Sequence, residues 1–441
     1  MQRFQISQSD KETYVTHSGL VLVGLGLKHS GIAKALKKWT HRHGSSHGDC
    51  MKSYIGLLSI GKSDFDAIEN RRHDRYFKKA LGIKKVPSAP TLRQRFDKWA
   101  PQFIPLVDAA SVDLISALKA PVTPLSIGHV ALDIDVFPMD NSRTKKQHVS
   151  RTYKGYDGYA PIAAYLGNEG WCLACELRQG KQHCQKEFLH TLDRILPRAR
   201  RLTDKPLLVR LDSGHDAKEN RFELAEQNVD FLIKWNPRAQ DINVWMGVSD
   251  DLGTWEQIRD GKRVCIFDEQ VTENYYGETR SFRKVTRLTE RTIDKHGQRL
   301  LIPDIRLEGW WTTLDEKTAD NETVIALYKD HATSEQFHSE FKTDLDIERL
   351  PSGKFDTNDL VMALAVITYN ILRWIGLIGL IGDVSPVRHP AKRRRLKTVM
   401  QELMYLAARM IETGRALKLK FSKHCPGFQS FEKVYNKLAE G

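Results

Sequence analysis

A chain of 441 residues exceeds the usual size of one domain, and 41% hydrophobic with 28% charged residues is ordinary for a soluble globular protein of two to four domains. Six cysteines make no disulfide framework, and no apolar core follows the first residues (MQRFQISQSDKETY), so neither a disulfide-stapled fold nor a secretory signal is expected. The formal net charge of +13 favours a polyanionic partner, nucleic acid being the commonest; a merely basic soluble protein is the plainer alternative.

Residues 1–125 are predicted to be helical and to bind DNA. LVLVGLGLKHSGIAKALKKW, FDAIENRRHDRYFKKALG and TLRQRFDKW are amphipathic or basic runs broken by Gly, Ser and Pro. Arg71, Arg72, Arg75, Lys78, Lys79, Arg93 and Arg95 suit either a DNA surface or a solvated helix face. From 126 to 237 the texture changes. GHVALDIDVF, APIAAYLG, GWCLACELR, PLLVRLDSG and VDFLIKW are short β-rich runs closed by turn residues. CQKEFLHTLDRILPRAR and DAKENRFELAEQN are helical runs before and after the fourth. Three meander strands followed by two strand–helix–strand units predict a mixed five-stranded α/β sheet covered by helices, in the order expected of an RNase H-like fold. The fourth strand is expected beside the first.

Residues 238–318 are predicted to form a β-rich insertion domain with a hairpin at Asp294–Gln298. Helices return in 319–380 as the second part of the core. Leu360–Ile381 is long and apolar but carries Asn370 and Arg373, which are expensive in lipid, so a buried core helix and no membrane is expected. Residues 381–441, with AKRRRLK at 391–397, are expected to be a basic helical region for DNA binding or dimerisation, with Lys392, Arg393, Arg394 and Arg395 facing DNA.

Three places carry candidate chemistry. In HVALDIDVF, two-residue alternation puts Asp133 and Asp135 on one face of an otherwise apolar strand, where two carboxylates call for a compensating cation. Asp212 ends an apolar strand at a Ser-Gly turn, the sheet edge where α/β sites usually lie. In YKDHATSEQFHSEFK, Glu335 and Lys342 are seven apart, two helical turns, and Thr333 with Gln336 fits a capping box. The grouping Cys172, Cys175, His183 and Cys184 is poorly spaced for zinc, and WCLACELR reads better as a buried strand.

Tyr328, His331, Glu335 and Lys342 stand at the spacing of the Y-R-E-K signature of DDE insertion-sequence transposases, with histidine in place of arginine. LDIDVF, TYKGYDGYAPIAAYLG, ELRQGKQHC, RLDSGHD and DRYFKKALG…PSAPTLRQRFD resemble the insertion-sequence family numbered thirteen-eighty. The resemblance implies a DDE triad of Asp135, Asp212 and Glu335 holding two Mg²⁺ ions, replaceable by Mn²⁺; Asp133, on the same strand face, is the alternative to Asp135 as first ligand and a candidate further one. It also implies phosphate contacts from Tyr328, His331 and Lys342. Trp310 and Trp311 then become candidates for stacking on a flipped base, although adjacent strand tryptophans equally suit one core and one surface position. Histidine cannot make the bidentate fork of the arginine it replaces. The implied protein is a cut-and-paste transposase of the bacterial cytoplasm, associated with the nucleoid. It acts as a homodimer on double-stranded terminal repeats and target DNA. A nuclease without strand transfer and a catalytically silent DNA-binding protein are the alternatives.

Overall fold

The computed structural model describes residues 3–39, 44–238, 240–414 and 416–440. The fold is mixed α/β. Its largest sheet holds β1 (Val130–Val136), β2 (Ile162–Leu166), β3 (Trp171–Glu176), β4 (Leu207–Leu211), β5 (Asp230–Lys234), β6 (Trp255–Arg259), β7 (Lys262–Tyr275), β8 (Glu278–Ile293) and β9 (Arg299–Thr312). Their spatial order is β6-β7-β8-β9-β5-β4-β1-β2-β3.

The first three strands form an antiparallel meander, and β4 and β5 add in parallel on the other side of β1. Parallel pairing needs long crossovers, and the helices Phe188–Arg200 and Lys218–Glu226 supply them. β4, with the run LLVRL, is buried along its whole length, as a strand covered on both faces must be. The buried register is Asp133 opposite Arg210, which sets the C-terminal ends of β1 and β4 side by side.

The predicted five-stranded sheet is corrected to nine strands. RLLIPDIRLEGWWT is one continuous 14-residue strand, and its last three residues pair with the open edge of β5. On its other side it pairs with β8 in unbroken register from Thr312 to Asp304 and again at Arg299, with an irregularity between Arg291 and Ile293 that accommodates Pro303. The hairpin at Asp294–Gln298 is present: Asp294 N–H donates to Gln298 O at 2.9 Å. The helix Ile242–Leu252 and strand β6 were not anticipated.

The terminal regions are not wholly helical. Thr13–Val15 pairs with Ala408–Thr413, which pairs in turn with Ala416–Lys420, so the two ends of the chain share a small sheet. The alternation of buried Ala408 and Met410 with exposed neighbours is the period-2 signal overlooked there. AKRRR is a loop leading into the short helix Leu396–Val399.

The helix Phe355–Gly379 is long and apolar enough to cross a membrane, yet 89% of its most apolar window is buried inside the protein. It packs against β3 and the 29-residue helix Ala89–Ala117. Its polar groups are satisfied there. Asn370 donates to Cys172 O at 2.8 Å and to Ser111 Oγ at 2.9 Å, and accepts from Cys172 N–H at 3.0 Å. Arg373 pairs with the buried Glu340 and donates to Arg394 O at 2.8 Å.

Asp359, on the same helix, accepts from Leu177 N–H at 3.0 Å. Burial, joined by the charges of Asp108 and Glu176, pushes its carboxyl from 3.8 up to about 7. The folded state therefore holds this proton more tightly than the unfolded chain. Its contribution is fully present below about pH 4 and is lost as pH rises to about 7. Asp359→Asn should raise the melting temperature, and by more at pH 8 than at pH 5. A gain that does not grow with pH, read by calorimetry, would contradict this.

Candidate active site

Asp135 and Asp212 lie at the neighbouring C-terminal ends of β1 and β4. Glu335 belongs to the short helix Ser334–Ser339. All three line one cleft of about 450 Å³, together with Tyr153, Lys234, Arg287 and Lys329. A second hollow, about 390 Å³, shares Asp135, Tyr153 and Glu335 and adds Lys154 and Lys342.

The two aspartates differ in environment. Burial, followed by the charge of Asp212, pushes the Asp135 carboxyl up to about 6, although Val136 N–H donates to it at 2.7 Å. Burial also acts on Asp212, but the hydrogen bond and charge of His215 outweigh it and hold that carboxyl low. His215 Nδ1 is 2.7 Å from Asp212 Oδ1, and Gly214 N–H donates at 3.2 Å. Glu335 is exposed, and among the described residues its carboxylate has no hydrogen-bond or ion-pair partner. Two crowded aspartates facing an uncommitted glutamate form a hard-oxygen donor set, which suits Mg²⁺ or Mn²⁺ rather than zinc. As the side chains lie, no group of three or more His, Cys, Asp or Glu among the described residues is close enough to hold a metal ion.

Asp133 does not join this set. Arg210 clamps both its oxygens, from Nε at 2.6 Å and Nη2 at 2.7 Å, and His331 Nδ1 approaches at 2.9 Å. Burial opposes ionisation, but the charge of Arg210 and the hydrogen bond of His331 outweigh it and hold the Asp133 carboxyl at about 2. Both oxygens of Asp133, expected as a metal ligand, are thus engaged by protein groups in this arrangement. His331, expected at a DNA phosphate, lines the cleft but is 5% exposed, and its Nδ1 is turned to Asp133. Burial lowers its basicity, but Asp133 more than restores it. The third Arg210 donor, Nη1, reaches Leu327 O at 2.7 Å.

Trp310 and Trp311, the expected base-stacking residues, are both buried in this arrangement, with Trp310 on the wall of the cleft. Lys234 covers the Trp310 ring at 4.0 Å and Arg221 the Trp311 ring at 4.4 Å. Pairing of β9 with β5 draws both indoles into the sheet. Three of the four basic tail residues serve internal contacts. Arg393 donates to Asn168 O, Arg394 to Leu380 O and Val387 O, and Arg395 pairs with Asp344. Lys392 is exposed. Tyr328 lies half-buried on the cleft wall. Lys342 donates to Pro138 O at 2.8 Å and pairs with Glu348 at 3.2 Å. The Thr333 capping box does not form: its side chain makes no cap bond, and the preceding helix Asn321–His331 runs almost to it. Glu340, the other acid nearby, is fully buried against Arg373.

Tyr153 was missed by sequence reasoning. It sits with Lys154 in the turn Thr152–Tyr156, closed by Gly155 at φ 84°, and its side chain, largely exposed, lines the cleft that Asp135 and Asp212 share. Burial, then Asp135 and Asp212, pushes it up to about 12. Arg210 was missed as well, though period 2 puts it on the face of Asp212.

The family model "Transposase DDE domain group 1" matches residues 8–441. The chain belongs to that family. A structural similarity is found to piggyBac transposase in a synaptic complex with hairpin DNA, seen by cryo-EM. It has 10% sequence identity and a TM-score of 0.39, and covers 81% of this chain and 74% of that one. The comparison with curated proteins finds no match. This transposase family member should depend on its buried clamp. Arg210→Met strands the Asp133 charge and should cost ~3–5 kcal/mol. The double variant with Asp133→Leu should recover much of that loss in denaturant unfolding, and additive losses would show that the pair is not coupled.

Proposed function

We propose that this chain is a cut-and-paste DNA transposase with an RNase H-like core, of the insertion-sequence family numbered thirteen-eighty. It binds the ends of its element, cleaves them by Mg²⁺-dependent phosphoryl transfer and joins them to target DNA. The observation that carries this reading is the convergence of Asp135, Asp212 and Glu335 on one cleft walled by lysines and an arginine. The strand order β3-β2-β1-β4-β5 within the sheet supports the RNase H-like assignment.

Asp135, Asp212 and Glu335 would hold the metal ions. Bound there, two Mg²⁺ or Mn²⁺ ions would activate the attacking oxygen and stabilise the leaving one during in-line displacement at phosphorus. The protein's own residues do the positioning. Lys154, Lys329 and Lys342 offer cations around the mouth of the cleft to phosphates on either side of the scissile bond. The Tyr153 hydroxyl, on a side chain lining the same cleft, offers a neutral donor to a bound phosphate oxygen. One chain carries one triad, so concerted cutting of two ends calls for a homodimer, acting in the bacterial cytoplasm at the nucleoid.

Glu335→Gln removes a charge and a ligand but keeps the shape. Binding to a duplex carrying a terminal repeat should survive in a gel shift, while Mg²⁺-dependent cleavage falls by orders of magnitude. Normal cleavage by this variant would end the triad assignment. Lys154→Ala and Lys329→Ala should instead weaken end binding and reduce its log–log salt slope by about 1 each. Joining of cleaved ends to a target plasmid separates this reading from a nuclease, which would cut without joining.

A further inference from the structure

A second basic hollow lies far from the triad in sequence, where the helix Ala89–Ala117 begins. It encloses about 480 Å³, and Arg72, Lys85, Arg95 and Lys98 line it. No carboxylate lines it. Thr91 and Gln94 add neutral polar groups, and the half-buried Trp99 ring forms one wall. The nearby acids are turned elsewhere. Glu69 accepts from Ala89 N–H at 2.7 Å and pairs with Arg72, while Asp49 accepts from the backbone of Lys84 and Lys85.

Arg95 is the telling residue. It is only 9% exposed, and its described partner is the His47 ring, with Nη1 3.3 Å from Nδ1. Among the described residues no carboxylate pairs with it. Residues 40–43, Thr-His-Arg-His, contain no acidic side chain. A buried guanidinium is costly without an anion, and a planar fork of donors beside two lysines matches a phosphate.

We propose that this hollow is a phosphate-binding site, in which Arg95 anchors one phosphate oxygen pair and Lys85 and Lys98 close over it. The phosphate is either a backbone phosphate of bound DNA or free inorganic phosphate. The DNA source rests on the transposase reading; the site itself does not.

The test uses the full chain. Binding of inorganic phosphate is measured by calorimetry at constant ionic strength, for the wild type and for Lys85→Ala/Lys98→Ala, whose changes lie at exposed positions. Arg95→Gln is measured alongside. The wild type should bind phosphate, and each variant should bind about tenfold more weakly or worse. Circular dichroism melts confirm that the lysine variant is folded. Duplex binding over a salt series then distinguishes the sources. A weaker affinity with a shallower salt slope in the lysine variant assigns the site to the DNA backbone. Lost phosphate binding with unchanged duplex binding assigns it to free phosphate. A wild type that does not bind phosphate, or a folded lysine variant that binds it equally well, overturns the proposal. The calorimetric arm involves neither DNA nor cleavage, so its failure is separable from failure of the transposase reading.

Discussion

One guanidinium organises the candidate site. Arg210 on β4 grips both oxygens of Asp133 on β1, and its remaining donor holds Leu327 O in the helix that leads to Glu335. His331, at the end of that helix, closes on the same Asp133. Three elements that meet only through tertiary structure are thus joined at one buried point. Each then delivers an acid to the cleft: Asp135 two residues beyond Asp133, Asp212 two residues beyond Arg210, and Glu335 just past His331. An exposed pair of this kind would contribute little, whereas a buried one is costly to break because the surviving charge has no water. The clamp therefore fixes the geometry of the carboxylates more than it adds net stability.

The β-rich segment is fastened to this core by the same means. β9 continues the sheet beside β5, and Arg283 on β8 reaches across to Asp268, Leu314 O, Ala319 O and Asn321. That arginine ties the ribbon to the first residue of the helix whose other end carries His331. Arg221 does similar work on the opposite side, pairing with Asp216 and Glu273. Cations from the ribbon, such as Arg287, consequently stand at a fixed place on the cleft wall rather than on a loosely attached module.

Much of this was legible in the sequence because the local signals were strong. The five core strands show period-2 or continuous apolar runs with clear turn punctuation, and Asp135 and Asp212 stand at strand ends that parallel pairing brings together. Burial of Leu360–Ile381 followed from Arg373 and Asn370, which only a protein interior could satisfy. What was not legible depended on partners far along the chain. Asp133 and Asp135 look alike in LDIDVF; only the facing Arg210, 77 positions away, decides that one is clamped and the other faces the cleft. The basic tail looked like a DNA surface because positive charge in a sequence does not reveal the carbonyls of Asn168, Leu380 and Val387 that consume it. The tryptophans were placed in a separate insertion, and their burial follows from a strand pairing that no local pattern announces.

The central claim is that the cleft between β1, β4 and the Glu335 helix binds divalent metal through Asp135, Asp212 and Glu335. Crystals grown with Mn²⁺ and measured at the manganese absorption edge test it most directly. The account predicts anomalous density between these three carboxylates, with Asp133 still clamped by Arg210, and its loss in Asp212→Asn. Manganese bound elsewhere, or at Asp133 with Arg210 displaced, would contradict it.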